Sequence, residues 1–352
     1  MSEGVQLLTR RRLMGVVLFG LAFAAVAIAV SVRVGSYDVV WANVWSGVEG
    51  ADRQVATHRL LRSLLAFAVG SSLASVGCVF QALTRNPLAD PFLLGVSGGA
   101  ALGATGLMAA GISTFTIAQW TIPATPLGAF LGALLALNVV HHLSVVRGRI
   151  QVHRILLVGV VFNFFASALI MGIKALIPVE SIRTVMLWLM GSLAGLKPSH
   201  EAFGELVIVG GLVLLGTGWM VLNARALNVA SLGDEGARHL GFDLNRVRKR
   251  AFIVASLVVG AAVSVAGLIG FVGLIVPHAL RQVLGADHRT LVPACVLLGG
   301  GFLVFCDVAA RLLFPILLTD PPVGILTALV GGPLFVWLLV RGRVMTGWED
   351  GA

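Results

Sequence analysis

The chain has 352 residues, of which 58% are hydrophobic and 12% are charged, and its mean hydropathy is +0.97. Soluble domains carry about twice that share of charge, so a soluble globular fold is excluded. The net charge of +9 does not indicate a nucleic-acid partner, because the basic residues are spread between apolar runs instead of forming one patch. We therefore predict an all-α integral membrane protein.

Ten apolar runs are candidates for helices that cross the roughly 30 Å hydrocarbon core of a bilayer. They lie at 13–32, 60–83, 93–111, 124–146, 155–177, 203–222, 251–268, 271–284, 291–314 and 323–341. The run at 271–284 is short, which indicates a half-span or the second arm of a helix broken near Gly267 and Gly270. We also predict a short surface helix at 184–194.

The first run follows Arg10-Arg11-Arg12 and contains a small-residue stretch from Ala22 to Ala29, which also fits a cleavable secretory signal. Its length and the runs that follow favour a first span that is retained. With the N-terminus inside, 17 of the 25 Lys and Arg residues fall on the inner side and 8 on the outer side. The positive-inside rule then predicts that both termini are cytoplasmic.

Asp307 is the one acidic residue well inside a predicted span, and Arg311 follows it by one helical turn. We interpret the two as a structural ion pair. The lack of other intramembrane carboxylates argues against an ion-coupled carrier, which usually needs an acidic relay. The sequence also lacks a G-x-x-x-x-G-K-[ST] phosphate loop, so ATP, if it supplies the energy, must bind a separate subunit.

The polar segment at 223–250, called the coupling loop below, is the best candidate contact for such a subunit. Its pattern predicts a short capped helix, a glycine stop and a second short helix that begins near Asp243. An ordinary solvated loop is the alternative. Cys78, Cys295 and Cys306 lie in apolar runs without metal-ligand spacing, and the eight histidines are scattered, so we expect no metal site, disulfide framework or catalytic residue.

Four stretches of sequence carry a family resemblance. They are QALTRNPLADPFLLGVSGGA at 81–100, GFVGLIVPHALR at 270–281, DVAAR at 307–311, and PVGILTA at 322–328 followed by Gly332-Pro333. Together they resemble the FecCD permeases of bacterial ATP-binding cassette (ABC) importers for iron chelates, haem and vitamin B12. The resemblance covers about residues 59 to 341.

The resemblance implies a type II ABC importer permease fold in which residues 1–352 form one transmembrane domain of ten spans. It also implies a homodimer, two cytoplasmic ATPase subunits that bind ATP and Mg²⁺, and a periplasmic or lipid-anchored binding protein. No cofactor is expected on this chain. The family's coupling helices, which contact the ATPase, correspond to Leu232, Gly233, Asp234, Glu235, Gly236, Ala237, Leu240 and Gly241.

At the outer side, the resemblance implies that acidic residues of the binding protein contact Arg59, Arg62 and Arg311. All three fall outside in the charge count. Arginine suits such contacts because its planar fork can meet a carboxylate with two hydrogen bonds. For Arg59 and Arg62 the alternative is snorkelling at a span end. Leu61 stands where many relatives carry a proline.

At the inner side, the cytoplasmic gate of relatives corresponds to Asn86 and Leu88 in the loop between the second and third spans. A second constriction corresponds to Val152 and His153. The segment around them, Gln151 to Arg154, departs from the small hydroxyl residues of the vitamin B12 member of the family.

The predicted function is therefore that of a permease subunit that carries a ferric siderophore inward across the bacterial plasma membrane. Cobalamin and haem are the nearest alternatives, because all three cargoes are large chelates. An ion-coupled secondary carrier and a membrane-embedded enzyme are alternatives of other classes. The enzyme would need a nucleophile or metal cluster near an interface, and the sequence shows none.

Overall fold

The computed structural model describes residues 10–35, 37–46, 50–117, 120–146, 149–193, 200–313 and 321–340. The helices are α1 Arg10–Arg33, α2 Trp41–Trp45, α3 Ala51–Thr84, α4 Val96–Ala109, α5 Ala124–Ser144, α6 Val152–Leu176, α7 Val179–Leu189, α8 His200–Leu222, α9 Ala224–Ser231, α10 Gly233–His239, α11 Leu244–Ala266, α12 Val272–Leu284, α13 His288–Leu312 and α14 Val323–Val340. A 3-10 helix, Pro91–Leu94, precedes α4.

Two short antiparallel hairpins flank α5. In the first, β1 Thr114–Ile117 pairs with β2 Trp120–Pro123, and Thr114 lies opposite Pro123. In the second, β3 Val145–Val146 pairs with β4 Arg149–Ile150. Neither hairpin was predicted from the sequence, and neither was α2.

Within the described ranges, six helices are long and apolar enough to cross a bilayer: α1, α3, α5, α6, α11 and α13. Helices α8 and α9 meet at a 60° bend and together form a seventh candidate, and α4, α12 and α14 are shorter apolar helices. Each of the ten predicted spans therefore corresponds to an apolar helix. The predicted fold class, an all-α membrane protein, is confirmed.

The surface helix predicted at 184–194 is α7, which begins and ends earlier, at Val179–Leu189. It starts directly after Pro178, whose fixed φ suits the entry to a helix. It stops before Gly191, which has a φ of +71°. The span predicted at 60–83 is part of α3. This helix is longer than predicted, because it begins at Ala51 and includes the polar residues that precede the apolar run.

Helix α3 is the centre of the bundle and contacts α1, α8, α11, α12 and α13. Of its most apolar stretch, 89% of residues are buried, against 17% for α1 and 22% for α6. The peripheral helices carry large exposed apolar side chains such as Phe19 and Phe164. Such surfaces need lipid or another protein against them.

Glycines bring α3 into backbone contact with its neighbours. A Cβ atom on Gly77 would lie 1.9 Å from the carbonyl oxygen of Gly273 in α12, and one on Gly70 would lie 2.4 Å from that of Gly299 in α13. No side chain fits in either gap. Small residues at helix contacts are the usual means of close packing between membrane helices.

The chain between α11 and α12 breaks inside the bundle, as predicted. Gly267 has a φ of +67°, and a Cβ atom there would lie 2.2 Å from the carbonyl oxygen of Trp188. Phe271 has a φ of +69°, a left-handed conformation that costs a non-glycine residue about 1–2 kcal/mol. Helix α12 consequently begins among buried residues instead of at a membrane surface.

Candidate functional sites

A buried arginine cluster lies where the start of α3 meets the last turns of α1 and α13. Arg62 donates to Asp307 Oδ1 from Nε at 3.0 Å and from Nη2 at 2.7 Å. Arg311 Nε lies 3.2 Å from Asp307 Oδ2, the ion pair expected one turn along α13. The Asp307 side chain has no exposed surface, so one fully buried carboxylate faces two guanidinium groups.

The same cluster satisfies the end of α1. Arg59 Nη1 donates to the carbonyl oxygens of Val32 at 3.4 Å and Arg33 at 3.3 Å, and Arg311 Nη1 donates to that of Ser31 at 3.0 Å. The last carbonyls of a helix lack intrahelical donors and carry partial negative charge. Two guanidinium groups therefore stabilise the end of α1 against α3 and α13.

All three arginines that were predicted to dock the binding protein are buried in this cluster. Arg59, Arg62 and Arg311 were expected to present their guanidinium groups to a binding protein, but their exposed fractions are 6%, 5% and 7%. The ends of α1 and α13 close over them, and each pairs within the chain. Their role in docking is not tested by this geometry and stays a prediction.

At the other end of α3, the coupling loop forms two short helices, α9 and α10, with Leu232 between them. Gly233 opens α10 with a φ of +87°, a conformation that favours glycine. Leu232 and Leu240 are exposed by 61% and 58%, whereas Ala237 is fully buried. The loop thus presents apolar side chains outward while one face of α10 packs on the bundle.

The rest of the predicted coupling residues lie in or beside α10. Asp234 and Glu235 are in its first turn, and nothing of their side chains is described; Gly236 is half-buried, and Gly241 follows the helix with a φ of +72°. The second short helix predicted near Asp243 is wrong. Asp243 instead caps α11, accepting from Arg246 N at 3.2 Å, so the chain enters its next span directly.

The predicted gate residues Asn86 and Leu88 lie directly after α3. Asn86 Oδ1 accepts from Leu88 N at 2.9 Å, which closes a local turn. Both side chains are half-buried. Of the second predicted constriction, His153 is exposed in the first turn of α6, and the Val152 side chain lies outside the described set.

Asp90 follows in the same loop and was not singled out by the sequence. Its Oδ1 accepts from Phe92 N at 2.7 Å and so caps the 3-10 helix. Its Oδ2 lies 3.5 Å from the position of a Cβ on Gly273, beside the first turn of α12. Burial raises the pKa of Asp90 to about 6, against the lowering effect of the Phe92 hydrogen bond.

Two of the polar contacts between the coupling loop and the rest of the bundle were not predicted from the sequence. Arg85, the left-handed residue that ends α3, packs on Gly233, where a Cβ atom would lie 2.7 Å from Arg85 Nη1. Asn228 of α9 hydrogen-bonds Asp287 and His288 at the start of α13. The partners are far apart in sequence, which is why motif reading cannot find them.

These features define a class: a multi-pass helical membrane protein of transporter architecture, with a broken helix inside it and a helical loop at one end. The chain belongs to the FecCD transport family, whose sequence profile matches residues 22–341. The resemblance drawn from the motifs is thereby confirmed, and the chain is an ABC importer permease. Permeases of this kind are transport components of the importer.

Two relatives and one solved structure illustrate the match. The chain is 43% identical over 295 residues to the cobalamin import system permease protein BtuC of Halobacterium salinarum, covering 83% of this chain and 74% of the relative. It is 37% identical over 307 residues to the hemin transport system permease protein HmuU of Yersinia pestis, covering 87% and 85%. A structure described as an inward-facing, metal-chelate type ABC transporter aligns with a TM-score of 0.79 at 27% identity, covering 94% and 99%.

Proposed function

We propose that this permease carries a large metal chelate into the cell, using ATP that a separate ATPase subunit hydrolyses. The observation that carries the proposal is the family match along residues 22–341. The names of the relatives refer to cobalamin and hemin, and the aligned structure is described as of metal-chelate type. These cargoes share one chemistry, a metal held inside a large organic ligand.

Within that class the sequence-based prediction is a ferric siderophore. Cobalamin is the second candidate, because the 43% identical relative is named as a cobalamin permease. Haem is a further candidate, because the 37% identical relative is named as a hemin permease. Selectivity among these cargoes is expected to lie with the binding protein.

The ATPase is proposed to dock on the coupling loop. Leu232 and Leu240 are exposed apolar residues at either end of α10, as a helix seated in a groove of a partner would present. Docking there would place the partner beside Arg85 and the gate residues Asn86 and Leu88. Movement of the loop would then reach the gate over a short distance.

A second copy of the chain is proposed to complete the pathway. An open apolar groove of about 480 Å³ lies at the break between α11 and α12, bounded by α7 and α14 and lined by Met190, Leu268, Phe271, Ile325 and Leu329. Helices α6 and α14 also carry exposed apolar side chains. Cross-linking of Leu329→Cys in a cysteine-free background to its own copy would support this arrangement, and a monomeric complex would contradict it.

Both termini are proposed to be cytoplasmic, which puts the coupling loop inside and the arginine cluster outside. A binding protein is proposed to dock at that outer end. Because Arg59, Arg62 and Arg311 are buried, a docking role for them requires the end of α1 to move away from α13. Protease protection of a C-terminal tag in sealed inverted vesicles would contradict the orientation.

The experiment that tests this proposal uses the permease co-purified with its ATPase and reconstituted with the binding protein. We expect binding protein loaded with the cognate chelate to stimulate ATP hydrolysis more than empty binding protein does. Ferric siderophore, cobalamin and haem are offered in parallel. Hydrolysis that none of the three changes, in an intact complex, would contradict the assigned class of cargo.

A further inference from the structure

Asn228 lies in the middle of α9, half-buried, with its side-chain amide directed at the start of α13. Its Nδ2 donates to Asp287 Oδ1 at 2.9 Å. Its Oδ1 accepts from the backbone N of His288 at 2.8 Å and faces His288 Nδ1 at 2.7 Å. One side chain of the coupling loop thus makes three hydrogen bonds to the first residues of a central helix.

The protonation pattern of these contacts follows from their chemistry. The Asp287 carboxylate only accepts, so the Asn228 group that faces it is the NH₂, and the amide oxygen must face His288. His288 Nδ1 is therefore the donor to the amide oxygen of Asn228. The His288 ring is 1% exposed.

Asp287 is itself firmly held. Its Oδ1 accepts from Arg289 N at 3.0 Å as the N-cap of α13, and its Oδ2 lies 2.6 Å from Arg289 Nη2. Although partial burial would raise the pKa of Asp287, hydrogen bonds from Arg289 and Asn228 lower it to about 2. Asp287, which binds Asn228, is consequently ionised at neutral pH. Its bonds to Arg289 fix its carboxylate at the start of α13.

The same contacts lead to the gate. Helix α13 packs along α3, which ends at Thr84 and passes directly into Arg85, Asn86 and Leu88. Ser71 Oγ of α3 donates to the carbonyl oxygen of Val296 in α13 at 2.7 Å, and further along the pair Arg62 of α3 is joined to Asp307 of α13. The two helices are therefore linked at more than one level.

We propose that Asn228, Asp287 and His288 form a latch through which displacement of α9 moves α13, and with it α3, and so opens the gate loop. The proposal rests on the proposed function, since it assumes that an ATPase displaces the coupling loop. Asn228 is a positioning residue in this scheme. It contacts neither cargo nor nucleotide and acts through α13 and α3.

The test exchanges the donor and acceptor of the latch. Asn228→Asp places a second carboxylate against ionised Asp287 and removes the donated hydrogen bond, whereas the double variant Asn228→Asp with Asp287→Asn restores one donor facing one carboxylate. In that double variant the amide oxygen at position 287 can still accept from Arg289 N as a helix cap. Asn228→Ala removes the contacts without adding charge, and it serves if the charged variant does not assemble.

The matched control is Asn223→Ala. Asn223 is also an asparagine beside α9, but its Nδ2 donates to the carbonyl oxygen of Trp219 one turn back, within its own segment. Each variant is reconstituted with the ATPase and binding protein in proteoliposomes. Cargo moved per ATP hydrolysed is measured for the chelate that the wild-type complex transports, alongside the yield of intact complex.

We expect Asn228→Asp and Asn228→Ala to lower the amount of cargo moved per ATP by about fivefold or more in complexes of normal yield. The double variant should recover most of that ratio, and Asn223→Ala should match the wild type. A wild-type ratio in Asn228→Ala, or a double variant as impaired as Asn228→Asp, would overturn the latch. A merely structural role for Asn228 would lower the yield of complex and leave the ratio unchanged, which also overturns it.

Failure of the proposed function is distinguishable from failure of the latch. If the wild-type complex moves none of the three chelates, the proposed function fails. The latch is then tested by hydrogen exchange in the permease alone. Asn228→Ala should speed exchange in α9 and in the first turn of α13 together, and exchange equal to that of the wild type in both would overturn it.

Discussion

Asp307 is the buried anion that joins α13 to α3, through Arg62, and Arg311 extends the junction to the end of α1. A buried ion pair contributes little net stability, because desolvation offsets its Coulomb energy. Removing one partner is costly, since the other charge is left buried without compensation. The arrangement therefore fixes which helix ends meet more than it adds to stability.

We predict that Asp307→Asn lowers the free energy of unfolding by about 3–5 kcal/mol, because two buried guanidinium groups lose the carboxylate that they share. The measurement is the thermal unfolding midpoint in detergent. The matched control is Asp243→Asn, whose partner Arg246 is 78% exposed and whose capping oxygen the amide retains. The control should change stability by less than about 1 kcal/mol, and equal effects of the two variants would contradict this account.

Asp90 gives a prediction that depends on pH. The folded protein keeps the Asp90 proton up to about pH 6, whereas the unfolded chain releases it near the ordinary pKa of 3.8. Folding therefore binds a proton at Asp90 between these values, so the contribution of Asp90 to stability is greatest below pH 4 and falls, by about 3 kcal/mol, as the pH rises from 4 through 6.

Asp90→Asn does not titrate and still accepts from Phe92 N. We expect this variant to unfold at the same temperature as the wild type near pH 4 and at a higher temperature at neutral pH. The measurement is a pair of melting curves at the two pH values. A variant whose difference from the wild type is the same at both pH values would refute a raised pKa at Asp90.

At the scale of helices, the glycines of α3 determine how closely α12 and α13 approach. Gly77→Ala would place a Cβ atom 1.9 Å from the carbonyl oxygen of Gly273, so α3 and α12 would have to separate. We predict a loss of about 1–3 kcal/mol. Gly210→Ala in α8 is the control, because its Cβ would meet nothing within 4 Å and alanine favours helix. Equal loss in both variants would show that the close contact is not the cause.

The coupling loop gives a prediction about a partner. Gly236→Arg should leave the fold intact, since a Cβ there would meet Leu232 Cβ at 3.0 Å and the exposed Leu232 can shift to accommodate it. It should abolish co-purification with the ATPase by placing a bulky charge on the docking surface. Ser46→Arg adds the same charge at exposed Ser46, beyond the other end of α3, and should not affect co-purification. Undiminished recovery of the ATPase with the Gly236 variant would count against docking at this loop.

The elements that the sequence predicted well are those whose signal is local. Each of the ten apolar runs located an apolar helix, and Gly267 and Gly270 marked the break before α12. The start of α11 was mistaken for a separate short helix. Asp243 is a suitable cap for a short helix and for a long one, and only the packing of α11 on the bundle decides its length. The hairpins at 114–123 and 145–150 were missed because their strands are too short to show an alternating pattern.

At the scale of the whole molecule, the pairings that join distant segments could not be predicted. Arg62 and Asp307 are 245 residues apart, and Asn228 and His288 are 60 apart. The sequence places Arg62 at the end of a span, where its side chain can face either solvent or the other helices. Only the positions of α1 and α13 show that the side chain is buried. Surfaces that contact a partner likewise leave no local pattern in the sequence, so the candidate surfaces were inferred from the family resemblance.

The two ends of the bundle differ, with α3 and α13 between them. The arginine cluster holds the helix ends at one side, and the coupling loop and the predicted gate residues Asn86 and Leu88 lie near each other at the opposite side. Since α3 and α13 contact backbone to backbone at Gly70 and Gly299, they are expected to move as one body. Displacement of the coupling loop is therefore expected to shift both ends of this helix pair.

We propose that this chain forms the pathway of an ATP-driven chelate importer. The most direct measurement is uptake into proteoliposomes that contain the permease and its ATPase, with binding protein and labelled ferric siderophore, cobalamin or haem outside. We expect accumulation of one cargo that requires ATP inside the vesicles and stops with a non-hydrolysable analogue. Uptake that proceeds without ATP and collapses with an ion gradient would contradict the claim.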